Sequence, residues 1–248
     1  MSAIATDSVN KRGFRPSFFL WMTLLMAFLV FGGFGLTYWK PMATGSLESL
    51  PPVVHLHGVV FSIWIVLLVV QSFLINVNNV KLHKSLGTFG IAVATGLVIL
   101  GALITILFGK YQRINPPPDY HNLMYLGVVA VLCFSSLFCL AIRNVRKPDN
   151  HRRLILFATM SLLAPGINRL YMVPFGLTQL PLVAMYMTLD ALIIAVLIYD
   201  WRTMNKISSA TLTGTGFILL PQLLHGPVAG SEAFNELCNI LINLAHYR

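Results

Sequence analysis

Long runs of apolar residues alternate with short polar connections along the whole chain. Each run holds about 20 residues, enough for an α-helix to cross a hydrocarbon core ~30 Å thick. Strands of a membrane barrel would alternate apolar and polar residues, and these runs do not. The pattern predicts an all-α bundle of seven transmembrane helices in a single domain over residues 1–248. The predicted spans are 17–38, 52–76, 86–109, 121–143, 152–174, 178–200 and 209–228.

Both ends of the chain are predicted to stay part of the folded protein. The first span ends in Tyr-Trp-Lys-Pro without a clear small-residue cleavage motif, which favours a retained helix over a signal peptide. After the last span, residues 231–244 show the pattern of an amphipathic helix lying on the outer membrane surface. Ser231 is the predicted N-cap of this helix.

Composition and charge agree with a membrane protein. The chain is 56% hydrophobic and only 10% charged, whereas soluble domains carry about 25% charged residues. Of the 17 Lys and Arg residues, twelve flank the spans on one side, Lys11 and Arg12 among them. This positive-inside bias predicts a cytoplasmic N-terminus and an external C-terminus. The net charge is +9, and the basic residues that produce it are predicted to lie beside the anionic head groups of the bilayer. Nucleic acid is not a predicted partner.

Several common kinds of site are absent from the sequence. The three cysteines have no CxxC spacing, so neither a disulfide framework nor a thiolate metal site is indicated. There is no GxxxxGK[ST], GxGxxG, HExxH or GxSxG motif, which removes support for nucleotide-binding, zinc-protease and serine-hydrolase functions. The seventh span also lacks a lysine that could form a retinal Schiff base.

Six histidines near the span ends form two layers. The predicted outer layer contains His55, His57, His121 and His225, and the inner layer contains His83 and His151. Two imidazoles on different helices at similar depth are the ligand set of a bis-histidine haem. An outer haem b would lie between His121 and either His55 or His57. An inner haem b would lie between His83 and His151.

The choice between His55 and His57 stays open at the level of sequence. Residues i and i+2 of a helix point ~200° apart, so only one of the two can face a given partner. His55 shares its face with small and polar residues, whereas His57 shares its face with Trp64 and Gln71.

This arrangement of histidines resembles the cytochrome b561 superfamily, whose four central helices hold two b haems through the same pairing. The resemblance covers roughly residues 52–174. Leu-His-Lys-Ser-Leu-Gly at 82–87 is similar to His-basic-x-x-Gly helix starts in several bacterial membrane families. The whole chain, with His-Arg-Arg-Leu at 151–154, resembles uncharacterised seven-helix bacterial membrane proteins. The resemblance implies a transmembrane oxidoreductase of the bacterial inner membrane, with a quinol or small reductant as electron donor, and it leaves a homodimer open.

Other polar residues inside the predicted spans are candidates for a role in proton transfer or ligand binding. Asp190 lies near the middle of span six, where a carboxyl must be paired, hydrogen-bonded or neutral. The hydroxyl groups predicted as its donors belong to Thr159, Ser161, Ser135 and Ser136. Together with Gln71 and Asn168, Asp190 could form a proton or polar relay. Arg169 could bind a haem propionate at the outer mouth or a lipid phosphate.

Two alternatives remain to the haem hypothesis. In the first, copper or zinc binds to the outer cluster of His55, His57, His121 and His225, because imidazole suits both metals. Asp190 would then lie deeper along a transport path. In the second alternative the protein is a membrane sensor or scaffold without a cofactor.

Overall fold

The computed structural model describes residues 15–112 and 120–244, which are almost entirely helical and contain no strand. The predicted all-α class is therefore confirmed for this part of the chain; Lys11 and Arg12 lie outside it. The helices are α1 (Phe18–Phe34), α2 (Lys40–Thr44), α3 (Pro52–Asn76), α4 (Val80–Gln112), α5 (Tyr120–Arg143), α6 (Pro148–Met160), α7 (Ala164–Phe175), α8 (Leu182–Met204), α9 (Ser209–Ala229) and α10 (Glu232–Leu244). A π-helical segment, Gly35–Trp39, joins α1 to α2.

Five described helices are long and apolar enough to cross a membrane. They are α1 with its continuation to Thr44, α3, α4, α5 and α8. The pair α6 and α7, bent by 43° at its break, makes a sixth span if the two halves cross together. The protein is therefore an integral membrane protein, because apolar helices of this length match the thickness of the hydrocarbon core. Helix α9 coincides with the predicted seventh span but is less apolar than the other five.

Contacts distant in sequence define the two ends of the bundle. We call one end the near face, where Ser17 N bonds Asn76 Oδ1 at 2.7 Å and Phe18 stacks on Tyr199. The opposite end is the far face, where α5 begins beside the end of α4. The near face corresponds to the predicted inner layer of histidines, and the far face to the outer layer.

The four helices α3 to α6 pack in chain order, each against the next. Helix α1 packs against both α3 and α6, and Trp64 Nε1 of α3 donates to Thr159 Oγ1 of α6 at 3.3 Å. The Trp64 indole is 4% exposed and meets Phe134 and Phe138 of α5 edge-on. Aromatic side chains of α3 and α5 thus pack in the interior between these helices.

The predicted span 152–174 is not one continuous helix. Helix α6 ends at Met160, and the tighter bonds Leu162 N to Thr159 O and Leu163 N to Met160 O close its last turn. The cause is Pro165, which has no N–H to continue the ladder but fits the first turn of the new helix α7. The break leaves the backbone of residues 161–163 outside a helix in the middle of the bundle, where an unbroken span would have only helical backbone.

The predicted C-terminal helix is present as α10. Its start is capped by Ser231, whose Oγ accepts from Phe234 N at 3.2 Å. Its apolar face consists of Phe234, Cys238 and Ile242, all buried, and the first two pack with Tyr125. Helix α10 therefore covers the far end of the bundle, and burial raises the pKa of the Cys238 thiol above its ordinary value.

Candidate functional sites

The near face brings together the two histidines predicted for the inner layer. His151 lies in the first turn of α6, with Nδ1 at 2.9 Å from the carbonyl oxygen of Ala141 on α5. A carbonyl only accepts, so Nδ1 of His151 carries the hydrogen. In the neutral ring Nε2 then keeps its lone pair, which is the arrangement found in metal-bound histidines.

His83 lies in the first turn of α4. Its ring is near the backbone of Gln71, and its Nδ1 is buried without a partner in the described structure. His83 also lies within electrostatic range of His151 and of its neighbour Lys84. Two imidazoles from α4 and α6 are therefore placed at this face.

Gln71 belongs to the same site. Its Oε1 is also buried without a hydrogen-bond partner among the described residues, and its amide faces Gly87, one turn after His83. The predicted polar residue of α3 thus lies against the start of α4. In an apolar surrounding each such orphan atom costs roughly 1–3 kcal/mol. An unpartnered acceptor beside an unpartnered imidazole nitrogen indicates a site built for a ligand or for water.

The predicted outer ligands are more scattered. His55 Nδ1 hydrogen-bonds to the hydroxyl of Tyr38 at 2.6 Å, and Tyr38 lies in the π-helical segment. His57 stacks on Phe61, and its Nδ1 is buried without a partner. His121 is exposed and contacts the ring of Tyr120. In the described part of the chain, no hydrogen bond or ring contact joins His121 to His55 or His57.

The predicted metal cluster is not assembled in the described structure. Across residues 15–112 and 120–244, no three His, Cys, Asp or Glu residues form a group that could hold a metal ion. His225, the fourth predicted ligand, instead sits in a network of Tyr and Asn side chains. The copper or zinc alternative therefore gains no support from this geometry.

His225 forms the centre of a second polar site, at the far face. The ring is 4% exposed and its Nε2 lies 3.0 Å from Oδ1 of Asn122 on α5. An amide oxygen only accepts, so Nε2 carries the hydrogen, and Nδ1 accepts from the hydroxyl of Tyr186 on α8. Tyr125 stacks on the same ring with centroids 4.6 Å apart and donates to the carbonyl of Pro221 at 2.7 Å.

A cavity of about 40 Å³ lies next to this cluster. Its lining includes Tyr125, Cys133, Ser161, Tyr186, Pro221 and Gln222. The Nε2 of Gln222 is buried without a partner in the described structure. Pro221 lacks the N–H that would have bonded the Phe217 carbonyl, and that carbonyl instead lies 3.2 Å from Cys133 Sγ. The break between α6 and α7 contributes Ser161, so this break and the Pro221 position of the continuous helix α9 meet at one cavity.

Three of the four hydroxyl groups predicted to hold Asp190 bond elsewhere. Thr159, Ser161 and Ser135 each donate to a carbonyl of their own helix, so that prediction is wrong for these three. The Oδ1 of Asp190 is buried without a partner in the described structure. Asp190 stands one helical turn from Tyr186 on the same face of α8.

Asn168 and Arg169 lie on α7 near α1. Asn168 is 5% exposed, and its Oδ1 has no hydrogen-bond partner among the described residues. Arg169 donates through Nη1 to the Pro165 carbonyl at 2.9 Å, and its Cζ lies 4.4 Å from the centre of the Phe34 ring. The guanidinium is therefore already engaged by its own helix and by an aromatic face, and neither contact involves an anion.

Sequence reasoning missed an ion pair at the near face. Arg153, one of the twelve basic residues predicted to flank the spans on the inner side, is fully buried and bonds Asp200 of α8. Asp200 follows Tyr199 at the end of an apolar run and looks like an interfacial residue. The missed far-face residues, Tyr125 and Tyr186, also look like ordinary members of apolar helices. The one local signal was Asn122, a polar residue beside His121 at a helix start.

No known family model, curated protein or solved structure matches the chain. The chemistry considered below therefore rests on the geometry of the near-face and far-face sites.

Proposed function

We propose that the protein is a b-type haem protein of the membrane that carries electrons, with His83 and His151 as the haem ligands. The observation that carries the proposal is the near-face pair of imidazoles from α4 and α6: the His151 ring is held by the Ala141 carbonyl, and His83 has a buried Nδ1 without a partner in the described structure. Haem bound there would supply a one-electron couple. The same pairing underlies the resemblance to cytochrome b561.

The residues around the pair suit such a group. The Ala141 carbonyl fixes the plane of the His151 imidazole, which sets the direction of the Nε2 lone pair, and the Gln71 backbone lies near the His83 ring. Lys84 and Arg152 flank the two histidines and offer positive charge to propionates; Arg152 now bonds Asp149 Oδ1 at 2.5 Å. Trp64 packs on Phe134 and Phe138 in the interior beyond the site.

The proposal includes a second haem at the far face, where the predicted ligands are farther from an assembled pair than at the near face. His57 supplies a buried nitrogen without a partner, and His55 supplies a ring oriented by Tyr38. His121 would have to leave its exposed position to join either of them. The electron donor we propose, a quinol or a small reductant, follows from the resemblance, as does the assignment as an oxidoreductase of the bacterial inner membrane.

We also propose that α9 is a seventh span, with the N-terminus in the cytoplasm and the C-terminus outside. Helix α9 has 21 residues and is therefore ~31 Å long at ~1.5 Å per residue. It packs against α5 and α6. Two of the polar residues that lower its hydropathy, Thr211 and His225, face the protein interior, being 0% and 4% exposed. Such a helix can cross the bilayer because these two buried polar side chains do not meet lipid.

Absorption spectra of the purified protein in detergent, oxidised and then reduced with dithionite, test the haem. Haem is supplied during expression, and the variants are His83→Ala, His151→Ala and His121→Ala. We expect a Soret band and a reduced α-band that either near-face substitution removes and that His121→Ala leaves at full size. A band lost only in His121→Ala would move the haem to the far face. A colourless protein that stays colourless after haem addition would overturn the proposal.

A further inference from the structure

Positive charge dominates the exposed surface of the near face. In the described part of the chain, Asp149 is the one exposed acidic residue there, and it is already paired with Arg152. Asp200 is buried and neutralised by Arg153. The face therefore carries positive charge that no acidic side chain compensates. Its exposed basic residues are Arg15, Lys81, Lys84, Arg143, Arg146, Lys147, Arg152, Arg202 and Lys206.

Part of this charge lies over the middle of the near face, away from the lipid around the bundle. Helix α6 packs against α1, α5 and α9, and seven of its 13 residues are buried. The start of α6, which carries His151 and Arg152, is therefore surrounded by the ends of other helices. Arg146 and Lys147 lie in the connection directly before it and are exposed. Because lipid head groups lie at the edge of the bundle, this central charge faces water.

The connection between α5 and α6 also exposes an apolar side chain. Val145 is 55% exposed and stands between Asn144 and Arg146 in the sequence. Arginine is enriched at protein interfaces, where apolar contacts are combined with complementary charge. A small anion would gain nothing from an exposed valine, whereas the surface of an acidic protein can contact the valine and the basic residues together.

We propose that the near face docks an acidic, water-soluble one-electron carrier that takes electrons from the site of His83 and His151. The inference rests on the proposed function, since bound haem would be the one-electron centre of this chain. One electron leaves this chain and one reaches the metal or flavin centre of the partner, with no proton transferred and no bond broken. Positive charge around the site speeds the encounter with a negative partner by roughly 10- to 1,000-fold.

Association kinetics test the surface without any haem. The purified full chain is placed in nanodiscs of phosphatidylcholine, which has no net charge. The probes are plastocyanin, an acidic blue-copper protein, and cytochrome c, a basic protein. Lys147→Glu reverses one charge of the near face, and Lys40→Glu, at an exposed lysine of the far face, is its matched control. Arg146→Glu combined with Lys147→Glu doubles the change. A second set of nanodiscs contains anionic phosphatidylglycerol.

We expect plastocyanin to associate with the wild type at least about tenfold faster than cytochrome c, and added salt to remove the difference. The double substitution should slow the association of plastocyanin by about tenfold, and Lys147→Glu alone should slow it less. Lys40→Glu should leave the rate unchanged at ~0.1 M salt, where the Debye length is ~10 Å. The 25 residues of α3 hold the two faces ~37 Å apart.

Equal association rates for the two probes, or equal effects of Lys147→Glu and Lys40→Glu, would overturn the proposal. Loss of plastocyanin binding in the nanodiscs with phosphatidylglycerol would also overturn it, because lipid would then be what covers this face.

The same probes separate this inference from the haem proposal. In haem-loaded protein reduced with dithionite, which is then removed, plastocyanin should reoxidise the haem faster than cytochrome c does. Lys147→Glu should slow this reoxidation by the same factor as the association. A protein that stays colourless overturns the haem proposal, and the association rates still decide the docking surface. A coloured protein on which both probes act alike retains the haem and overturns the docking surface.

Discussion

Arg153 of α6 and Asp200 of α8 form an ion pair from which solvent is excluded, both side chains being 1% exposed or less. Arg153 Nε donates to Asp200 Oδ1 at 2.9 Å. The second carboxylate oxygen accepts from Thr211 Oγ1 at 2.6 Å and from Ser208 N at 3.1 Å. The pair joins three helices at the near face, because Thr211 and Ser208 belong to the start of α9.

Replacing one partner of this pair should destabilise the protein strongly. Asp200→Ala leaves a buried guanidinium without its counter-charge, and the loss for such a broken pair is ~3–5 kcal/mol. We expect a correspondingly lower midpoint in thermal or denaturant unfolding of the protein in detergent. Arg153→Met combined with Asp200→Leu removes both charges and should recover much of the loss, since apolar groups of similar volume pack without desolvating an ion.

The control for this experiment is Asp149→Ala. Asp149 is 70% exposed, pairs with Arg152 at the surface and also lies 3.7 Å from Arg153 Nη1. An exposed ion pair contributes ~1 kcal/mol or less, so Asp149→Ala should cost much less than Asp200→Ala. Its backbone carbonyl, which accepts from Arg153, is retained. Equal destabilisation by Asp149→Ala and Asp200→Ala would contradict the buried pair.

The crossing of α1 and α7 should not tolerate a side chain. A Cβ on Gly33 would overlap the carbonyl oxygen of Gly166, and a Cβ on Gly166 would lie 2.9 Å from the Leu29 carbonyl oxygen. Both obstacles are backbone, which cannot turn aside, so Gly33→Ala should cost at least about 1–3 kcal/mol. Unfolding in detergent measures this.

Gly216→Ala supplies the comparison for Gly33→Ala. Gly216 is exposed in α9 and has no heavy atom within 4 Å of its ideal Cβ. Alanine there should be neutral or stabilising by up to about 1 kcal/mol through helix propensity. If Gly33→Ala were as stable as Gly216→Ala, the two helices would be farther apart than they are here.

The helices could be predicted from the sequence because span length and apolar composition are local properties. Pro165 inside the fifth span predicts a kink there, which the structure shows, but the complete break at residues 161–163 could not be predicted, since Pro165 fits either a kinked helix or the first turn of a new one. What decides is whether the neighbouring helices accept the bend of 43°. The predicted Ser231 cap, by contrast, depends on two or three adjacent residues, and it is present.

The near-face histidines could be selected because an imidazole at the end of an apolar span stands out. The partners of other buried polar residues could not be predicted. Arg153 bonds Asp200, 47 residues away in sequence, and His225 bonds Asn122, 103 residues away. Whether a charged residue at a helix end is a lipid anchor or one half of a buried pair depends on the helix beside it. That neighbour is a property of the packing, which no short segment encodes.

The topology can be tested with single cysteines in an otherwise cysteine-free protein. If α9 spans the membrane, Lys206 before it and Glu236 after it lie on opposite sides; both are exposed. We expect an impermeant maleimide to label Glu236→Cys in intact cells and Lys206→Cys only after lysis. Labelling of both on the same side would remove α9 from the spans, and the reverse pattern would invert the proposed orientation.

The packing of α10 against the bundle can be tested through the reactivity of Cys238. The thiol is 2% exposed, and its pKa is raised by burial. The reactive species is the thiolate. A raised pKa therefore lowers the reactive fraction at neutral pH and shifts the rise in labelling to a higher pH than for an exposed cysteine. Phe234→Ala removes the aromatic ring that packs with Tyr125 beside this thiol, and α10 should then undock.

In a protein whose other two cysteines are replaced by alanine, we expect Cys238 to react slowly with a maleimide at neutral pH. Phe234→Ala should accelerate the reaction by about tenfold or more, since undocking both exposes the thiol and returns its pKa toward the ordinary value. Leu237→Ala, at a residue 43% exposed on the same helix, should leave the rate unchanged. Fast labelling of the unsubstituted α10, with the pH profile of an exposed cysteine, would mean that this helix lies free of the bundle.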